Sequence, residues 1–263
     1  MLLSPLFAIK LLLTPVLMLL VSLAAKKWGG FFGGLLSGLP LTSGVIITFL
    51  ALEQGTGFAK TAILGAIPGL AAVLLTYSVY VWCSQNRTVA TSCGWALLAF
   101  VLSAMALLWA HSTGLAVAVI VVAIAKLLQQ TQTPSQAPPN MARNNRWDIP
   151  LRMLASTVLL LLITSAAQAL GPLLSGVLAA IPVIAWPLTL FSHAQNGRHA
   201  MLVVVRGNAI GAVGVLCFYA VSWWLLGQVP WYVSLFFAAT ASVLAPLALT
   251  RCLQSKRAKL PTP

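Results

Sequence analysis

Long runs of apolar residues, each about the length of a membrane-spanning helix, alternate with short polar segments along this chain. A helix needs about 20 mostly apolar residues to cross the hydrocarbon core of a bilayer. Because lipid offers the backbone no hydrogen-bond partner, each run is expected to be helical. The pattern predicts nine spans, at roughly 3–25, 31–52, 59–83, 92–110, 113–129, 150–170, 172–192, 200–226 and 230–250.

Glycine and proline interrupt the second of these runs, which lies within residues 29–55. Proline removes a helical hydrogen bond, so a break is expected at Pro40, where freed backbone groups could face a polar ligand or ion. The same pattern returns at 171–197, with a break expected at Pro182. The alternative explanation is close packing, because small residues are common where membrane helices touch. The candidate ligand groups are Thr42 and Ser43 beside the first break, and Gln54, Gln195 and Asn196 at the exits of the two interrupted runs.

The two interrupted runs belong to a longer internal repeat. Residues 10–107 align without a gap with residues 152–249, at an offset of 142, and 27 of the 98 aligned pairs are identical. Chance matching of common apolar residues would give about a third as many. The identical pairs include Gly29/Gly171, Gly34/Gly176, Pro40/Pro182, Phe49/Phe191, Gly55/Gly197, Gly65/Gly207, Gly69/Gly211, Tyr77/Tyr219 and Trp82/Trp224.

Each copy contains four predicted spans, and the span at 113–129 matches nothing in the second half. Inserting one helix between two four-helix units makes the second unit cross in the opposite sense. The predicted fold class is an all-α polytopic membrane protein, with two inverted-topology four-helix repeats joined by an extra helix. Such repeats are typical of secondary transporters. The predicted parts are a first repeat (1–111), a joining transmembrane helix (112–130), a cytoplasmic linker (131–147) and a second repeat with a basic cytoplasmic tail (148–263).

The composition excludes a soluble globular domain, because 60% of the residues are hydrophobic and 6% are charged, with a mean hydropathy of +0.98. The net charge of +13 follows the rule that Lys and Arg concentrate in cytoplasmic loops, and does not indicate a nucleic-acid partner. With a cytoplasmic tail, alternation places Lys26, Arg87, Lys126 and Arg198 on that same side. This predicts a bacterial inner-membrane protein with a periplasmic N-terminus and a cytoplasmic C-terminus.

Each half resembles the GlpM-type small inner-membrane proteins, a four-span family. The residues that carry the resemblance are the glycine-rich entry to the second span, Pro40, the exit Glu53-Gln54-Gly55, the step Lys60-Thr61 and a glycine-containing third span. It covers about 10–107, and 152–249 more faintly. The family usually has a basic residue where this chain has Gln54. The resemblance implies a fused antiparallel pair of halves and supplies no settled activity.

Four charged residues are candidates for function. Glu53 is the only carboxylate expected near a span, either as a proton- or cation-coupling group or as a solvated helix end. Arg206 is expected to bind an anion, with Asn208 alongside, or to extend toward the cytoplasmic face. Lys10 and Arg152 occupy equivalent positions, where they would anchor the helices or contact a substrate.

No nucleophile elbow, P-loop or dinucleotide motif is present, and the three histidines lack metal-ligand spacing. We therefore expect no enzyme, no cofactor and no metal. The predicted function is a secondary transporter or channel for a small polar or anionic solute, with its site between the broken second and seventh helices. The alternative is a non-transporting scaffold or accessory subunit. Expected partners are the bilayer and an unknown small-molecule or ion substrate, and the sequence is also compatible with a homodimer.

Overall fold

The computed structural model describes residues 5–131 and 147–258. These residues form helices, and no β-strand occurs among them. The helices are α1 (Pro5–Trp28), α2 (Gly30–Ser37), α3 (Leu41–Glu53), α4 (Thr56–Cys83), α5 (Val89–Trp109), α6 (Thr113–Gln130), α7 (Asp148–Ala179), α8 (Ala185–Leu225) and α9 (Trp231–Ala258). Of the predicted linker 131–147, the structure describes only the two end residues. The side chain of Lys10 also lies outside the described part.

Several of these helices indicate a membrane-embedded protein. Six segments of the described chain are long and apolar enough to cross a bilayer: Gly30–Glu53, Thr56–Cys83, Val89–Trp109, Thr113–Gln130, Ala185–Leu225 and Trp231–Cys252. The outward faces of α5 and α9 carry exposed large apolar side chains, such as Leu102 and Phe236. Such faces would be unfavourable in water, whereas they are compatible with contact to lipid tails.

The helix breaks predicted at the two prolines are confirmed. α2 ends at Ser37 and α3 begins at Leu41, so Pro40 lies in the gap. α7 ends at Ala179 and α8 begins at Ala185, which leaves Pro182 in the second gap. The two gaps are related by the same offset of 142 residues that relates the two copies in the sequence.

The chain bends close to the span boundaries predicted at 170–172 and 192–200. Each bend is at a single glycine with non-helical backbone angles, Gly171 (φ 77°) and Gly197 (φ 80°), which separates two helical segments within α7 and within α8. Gly29 (φ 92°) and Gly55 (φ 90°) turn the chain at the equivalent places in the first copy. With ψ near 165–180°, this backbone conformation is essentially restricted to glycine.

The two copies pack through glycines that make reciprocal contacts. α2 packs on α8, and the end of α7 packs on α4. A methyl group on Gly34 would overlap the carbonyl oxygen of Val204, and one on Gly176 would overlap that of Ala62. Gly34 corresponds to Gly176 and Val204 to Ala62, so each contact has its counterpart. Glycine is needed because the backbones lie too close for any side chain.

The helices in both of these contacts run in the same direction. Gly207 lies against the backbone of Phe31, and Gly211 lies four residues further along, against Gly38. In the equivalent contact, Gly65 lies against the backbone of Leu173, and the later residue Gly69 lies against Val177 and Ala180.

Candidate functional site

A cavity of about 430 Å³, counting its open part, lies where the two helix breaks meet. Ser37 and Gly38 line it from the first break, and Ala180 and Pro182 line it from the second. The polar side chains in its lining are Ser37, Thr42, Ser43, Tyr77 and Asn208, and no charged side chain is among the described lining residues. The structure therefore places the start of α3, which follows Pro40, and Pro182 around one polar cavity.

Asn208 is the centre of the polar network in this cavity. Its side chain is buried, its Oδ1 accepts a hydrogen bond from Ser37 Oγ at 2.8 Å, and its Nδ2 donates to Thr189 Oγ1 at 3.2 Å. Nδ2 also lies 3.4 Å from the Tyr77 hydroxyl oxygen. Ser37 and Tyr77 come from the first copy and Thr189 from the second, so one buried amide links both.

Two equivalent tyrosines, Tyr77 and Tyr219, occupy different polar environments. Both side chains are almost completely buried. The Tyr77 hydroxyl lies beside Asn208, whereas the Tyr219 hydroxyl has no hydrogen-bond partner among the described residues. Ser43 faces the Tyr219 hydroxyl without reaching hydrogen-bonding geometry. Neither tyrosine was identified from the sequence, although their identity at the repeat offset was the available signal.

The first turn of α3 adds backbone donors to the cavity. Pro40 precedes the helix and provides no side-chain cap. Thr42 and Ser43 lie in the first turn and line the cavity. The first amide groups of a helix lack intrahelical acceptors and form its positive dipole end.

A second cavity contains the predicted residues Glu53 and Gln54. It encloses about 780 Å³, open mouth included, and its walls are mostly apolar side chains of α1 and α3. Glu53 and Gln54 are exposed at the end of α3. Thr42 lines both this cavity and the cavity at the breaks.

Gln195 lies away from the cavity, in a buried ion-pair network. Its Nε2 donates to Asp148 Oδ1 at 2.7 Å, and Arg152 Nε donates to the same oxygen at 2.8 Å. The expectation that Glu53 is the only carboxylate near a span is wrong, because Asp148 begins α7 and is 6% exposed. The i,i+4 spacing of Asp148 and Arg152 was the signal that could have revealed it. Asn196 follows Gln195, half-buried beside the kink at Gly197.

Arg206 is also placed outside the cavity. Its Nη1 donates a hydrogen bond to the carbonyl oxygen of Leu128 at 2.9 Å. Leu128 lies in the last turn of α6, where carbonyl groups lack intrahelical donors. Arg206 therefore caps the helix that has no counterpart in the repeat, whereas Asn208, two residues later, reaches the cavity.

An aromatic cluster that the sequence did not suggest lies between the cavity and the kink at Gly197. His193 is half-buried in α8, and its Nδ1 lies 2.7 Å from the Tyr80 hydroxyl. The Trp186 ring contacts both Tyr77 and Tyr80, with ring centroids 5.4 Å apart in each pair.

No protein-family model, curated protein or solved structure matches this chain.

Proposed function

We propose that this protein is a transporter or channel for a small polar or anionic solute, which binds in the cavity between the two helix breaks. The observation that carries the proposal is the buried Asn208 network at the point where the copies meet. Hydroxyl, amide and backbone N–H groups converge on this space from α2, α3, α4 and α8. These groups suit a solute that exchanges hydrogen bonds, and the positive end of α3 suits a partial or full negative charge.

The directions of the packed helices support the inverted arrangement within this proposal. Consecutive spans of a membrane protein cross in opposite directions. α2 and α4 belong to consecutive spans and would therefore be antiparallel. α2 is parallel to the part of α8 that corresponds to α4. That part of α8 would then be antiparallel to α4. The two copies would then be related by inversion, with nine crossings and the broken helices facing each other at the midplane.

Contacts at the two ends support the proposed assignment of segments to a common side of the membrane. Arg198 Nε donates to Ser84 Oγ at 3.2 Å, which joins two segments predicted to be cytoplasmic. At the other end, Lys60 lies 5.2 Å from the Trp223 ring, which joins two segments predicted to be periplasmic. We propose a bacterial inner-membrane location with the N-terminus outside, and a relationship of each half to the GlpM-type proteins.

The test is solute entry into proteoliposomes, followed by osmotic swelling with a panel of small neutral solutes and small carboxylates. Asn208→Ala is expected to abolish most of the protein-dependent entry, because it removes the central donor and acceptor. Glu53→Gln tests the coupling role of the second cavity. Ser103→Ala is the matched control, since the Ser103 hydroxyl bonds only to carbonyls of its own helix, α5. Swelling equal to that of protein-free vesicles for every solute would contradict the proposal.

The glycine contacts favour a second candidate, a membrane scaffold or accessory subunit without transport. Gly34, Gly65, Gly176 and Gly207 are accounted for by backbone packing alone. The exposed apolar faces of α5 and α9 could contact another membrane protein. Purification in a fixed ratio with a larger membrane complex, together with no solute entry, would favour this candidate.

A further inference from the structure

The two ends of the proposed path differ in side-chain size at equivalent positions. We call the end with Arg152, Arg198 and Ser84 the basic end, and the end with Gln54 and Lys60 the opposite end. Toward the basic end, the path from the cavity passes an aromatic cluster of Trp186, Tyr80 and His193. The repeat offset pairs these three residues with Gly44, Ser222 and Ala51, which lie toward the opposite end.

The aromatic cluster fills the half of the molecule at the basic end. Trp186 lies between the rings of Tyr77 and Tyr80, and the His193 ring lies 5.6 Å from that of Tyr80. The hydrogen bond between Tyr80 and His193 joins α4 to α8. The backbones of α4 and α8 are also closely packed. A solute in the cavity would have to displace Trp186 to move in this direction.

The opposite half has smaller side chains at the equivalent positions, and two of its hydroxyl groups are buried. At Gly44 the Phe218 ring and Pro40 occupy the adjacent space, with the nearest ring carbon 3.4 Å from a methyl group placed on Gly44. The backbone of α3 is not closely packed against α8. The hydroxyl groups of Tyr219 and Ser222, one turn apart on α8, are buried without a hydrogen bond of good geometry among the described residues, and Ser43 in the cavity wall faces that of Tyr219. Buried hydroxyl groups normally have a hydrogen-bond partner, so these two indicate a place for a polar ligand.

We propose that Tyr219 and Ser222 form an additional binding site for hydroxyl- or amide-bearing solutes on the way from the opposite end to the cavity, and that Trp186, Tyr80 and His193 close the path to the basic end. This inference rests on the proposed function. The hydroxyl groups of Tyr219 and Ser222 are neutral donors and acceptors, which suit an uncharged solute, since a bare charge at this depth would be costly.

The test is the reactivity of single cysteines toward a membrane-impermeant thiol reagent added to one face at a time. The native cysteines are Cys83, Cys93, Cys217 and Cys252, and they are first replaced by serine or alanine. Ser43→Cys is the reporter because it lines the cavity and changes one atom. Gln54→Cys and Asn86→Cys are the matched controls, since both residues are exposed, one at each end.

Ser43→Cys is expected to react from the face that labels Gln54→Cys, and not from the face that labels Asn86→Cys. Trp186→Gly introduces the residue that the first copy has at the equivalent position, Gly44. Adding this change should make Ser43→Cys reactive from both faces. Tyr80→Ser combined with His193→Ala is a second opening variant, and unchanged labelling of the two controls shows that the variants fold. Added glycerol or urea should bind near Ser43→Cys and slow its labelling. Replacing Tyr219 by Phe and Ser222 by Ala in one variant should reduce this protection.

Two failures would have different meanings. Labelling of Ser43→Cys from the Asn86 face while Trp186, Tyr80 and His193 are intact would overturn the inference and leave the proposed function standing. Absence of labelling from either face, even with Trp186→Gly, would mean that the cavity is not on a path, which would overturn the proposed function as well. Equal protection by glycerol and urea with and without the two hydroxyl groups would overturn the binding site.

Discussion

The two copies of the repeat agree where backbones touch and differ where side chains bear charge or bulk. Glycines that permit the contacts of α2 with α8 and of α4 with α7 recur in both copies. In contrast, Asp148, Trp186, His193, Arg206 and Asn208 have the counterparts Leu6, Gly44, Ala51, Leu64 and Ala66. The shared positions therefore set the geometry of the scaffold, and the differing positions decide what each end can do.

Arg206 illustrates how one asymmetry requires another. α6 has no counterpart, and its last turn presents carbonyl groups that need donors. Arg206 supplies one on the side where α6 packs, whereas the equivalent Leu64 is 37% exposed. Arg206, which the sequence suggested as a possible anion ligand, is therefore explained by its contact with α6, the helix that has no counterpart in the repeat.

The largest expected effect concerns the ion pair that exists in the second copy. Asp148→Leu, which introduces the residue of the first copy, leaves the Arg152 guanidinium buried without its carboxylate. Breaking a buried pair costs about 3–5 kcal/mol, so the thermal unfolding temperature of the detergent-solubilised protein should fall sharply. The double variant Asp148→Leu, Arg152→Leu should recover part of the loss, because no charge is then left uncompensated. A double variant as unstable as the single one would contradict this account.

The interface glycines offer the next largest effect. Gly176→Ala would place a methyl group in the Ala62 carbonyl oxygen and force α4 and α7 apart. We expect a loss of about 1–3 kcal/mol in the free energy of unfolding, as for other overpacked contacts. Gly65→Ala should cost a similar amount, because it lies in the same contact. Gly94→Ala in α5, with open space around it, is the control and should be neutral or slightly stabilising.

Much of the scaffold could be predicted because its causes are local. Proline weakens a helix by removing a hydrogen bond, and the two prolines that recur at the repeat offset, Pro40 and Pro182, lie in gaps between helices, whereas the unrepeated Pro68 and Pro246 lie inside helices. The predicted boundary between residues 170 and 172 coincides with the bend at Gly171, whereas the next predicted span ended at 192, before the polar residues Gln195 and Asn196 that precede the bend at Gly197. Those residues are polar because they pair with distant groups, as Gln195 does with Asp148. A local pattern cannot reveal such a partner.

The kink glycines test whether the two copies are equivalent in the backbone as well. Gly55→Ala and Gly197→Ala each force a side chain into a conformation that costs about 1–3 kcal/mol. Both positions have open space around them, so the cost should be conformational and similar in the two variants. Thermal unfolding measured on both proteins checks this. A cost confined to one of them would show that the copies bend for different reasons.

The candidate site was less predictable than the fold. Pro40, Thr42, Ser43, Pro182 and Asn208 were selected from the sequence, and the structure brings their segments to one cavity. Ser37, Tyr77 and Thr189 were missed because hydroxyl groups within membrane helices commonly bond to their own backbone, as Thr189 also does. Which of them face a shared centre depends on how helices far apart in the chain are packed.

The smallest expected effect separates capping from solute binding at Arg206. Arg206→Leu removes a charge-assisted hydrogen bond to the end of α6, which typically contributes about 1.5–3 kcal/mol when buried and less when solvent reaches it. We expect a loss toward the lower end of that range, because Arg206 is only partly buried, and solute entry into proteoliposomes should be unchanged. The reciprocal variant, Leu64→Arg, should bring no gain in stability, since α6 packs beside Arg206 and not beside Leu64. If Arg206→Leu instead abolished solute entry at unchanged stability, Arg206 would belong to the solute path, and the asymmetry of the two copies would serve transport directly.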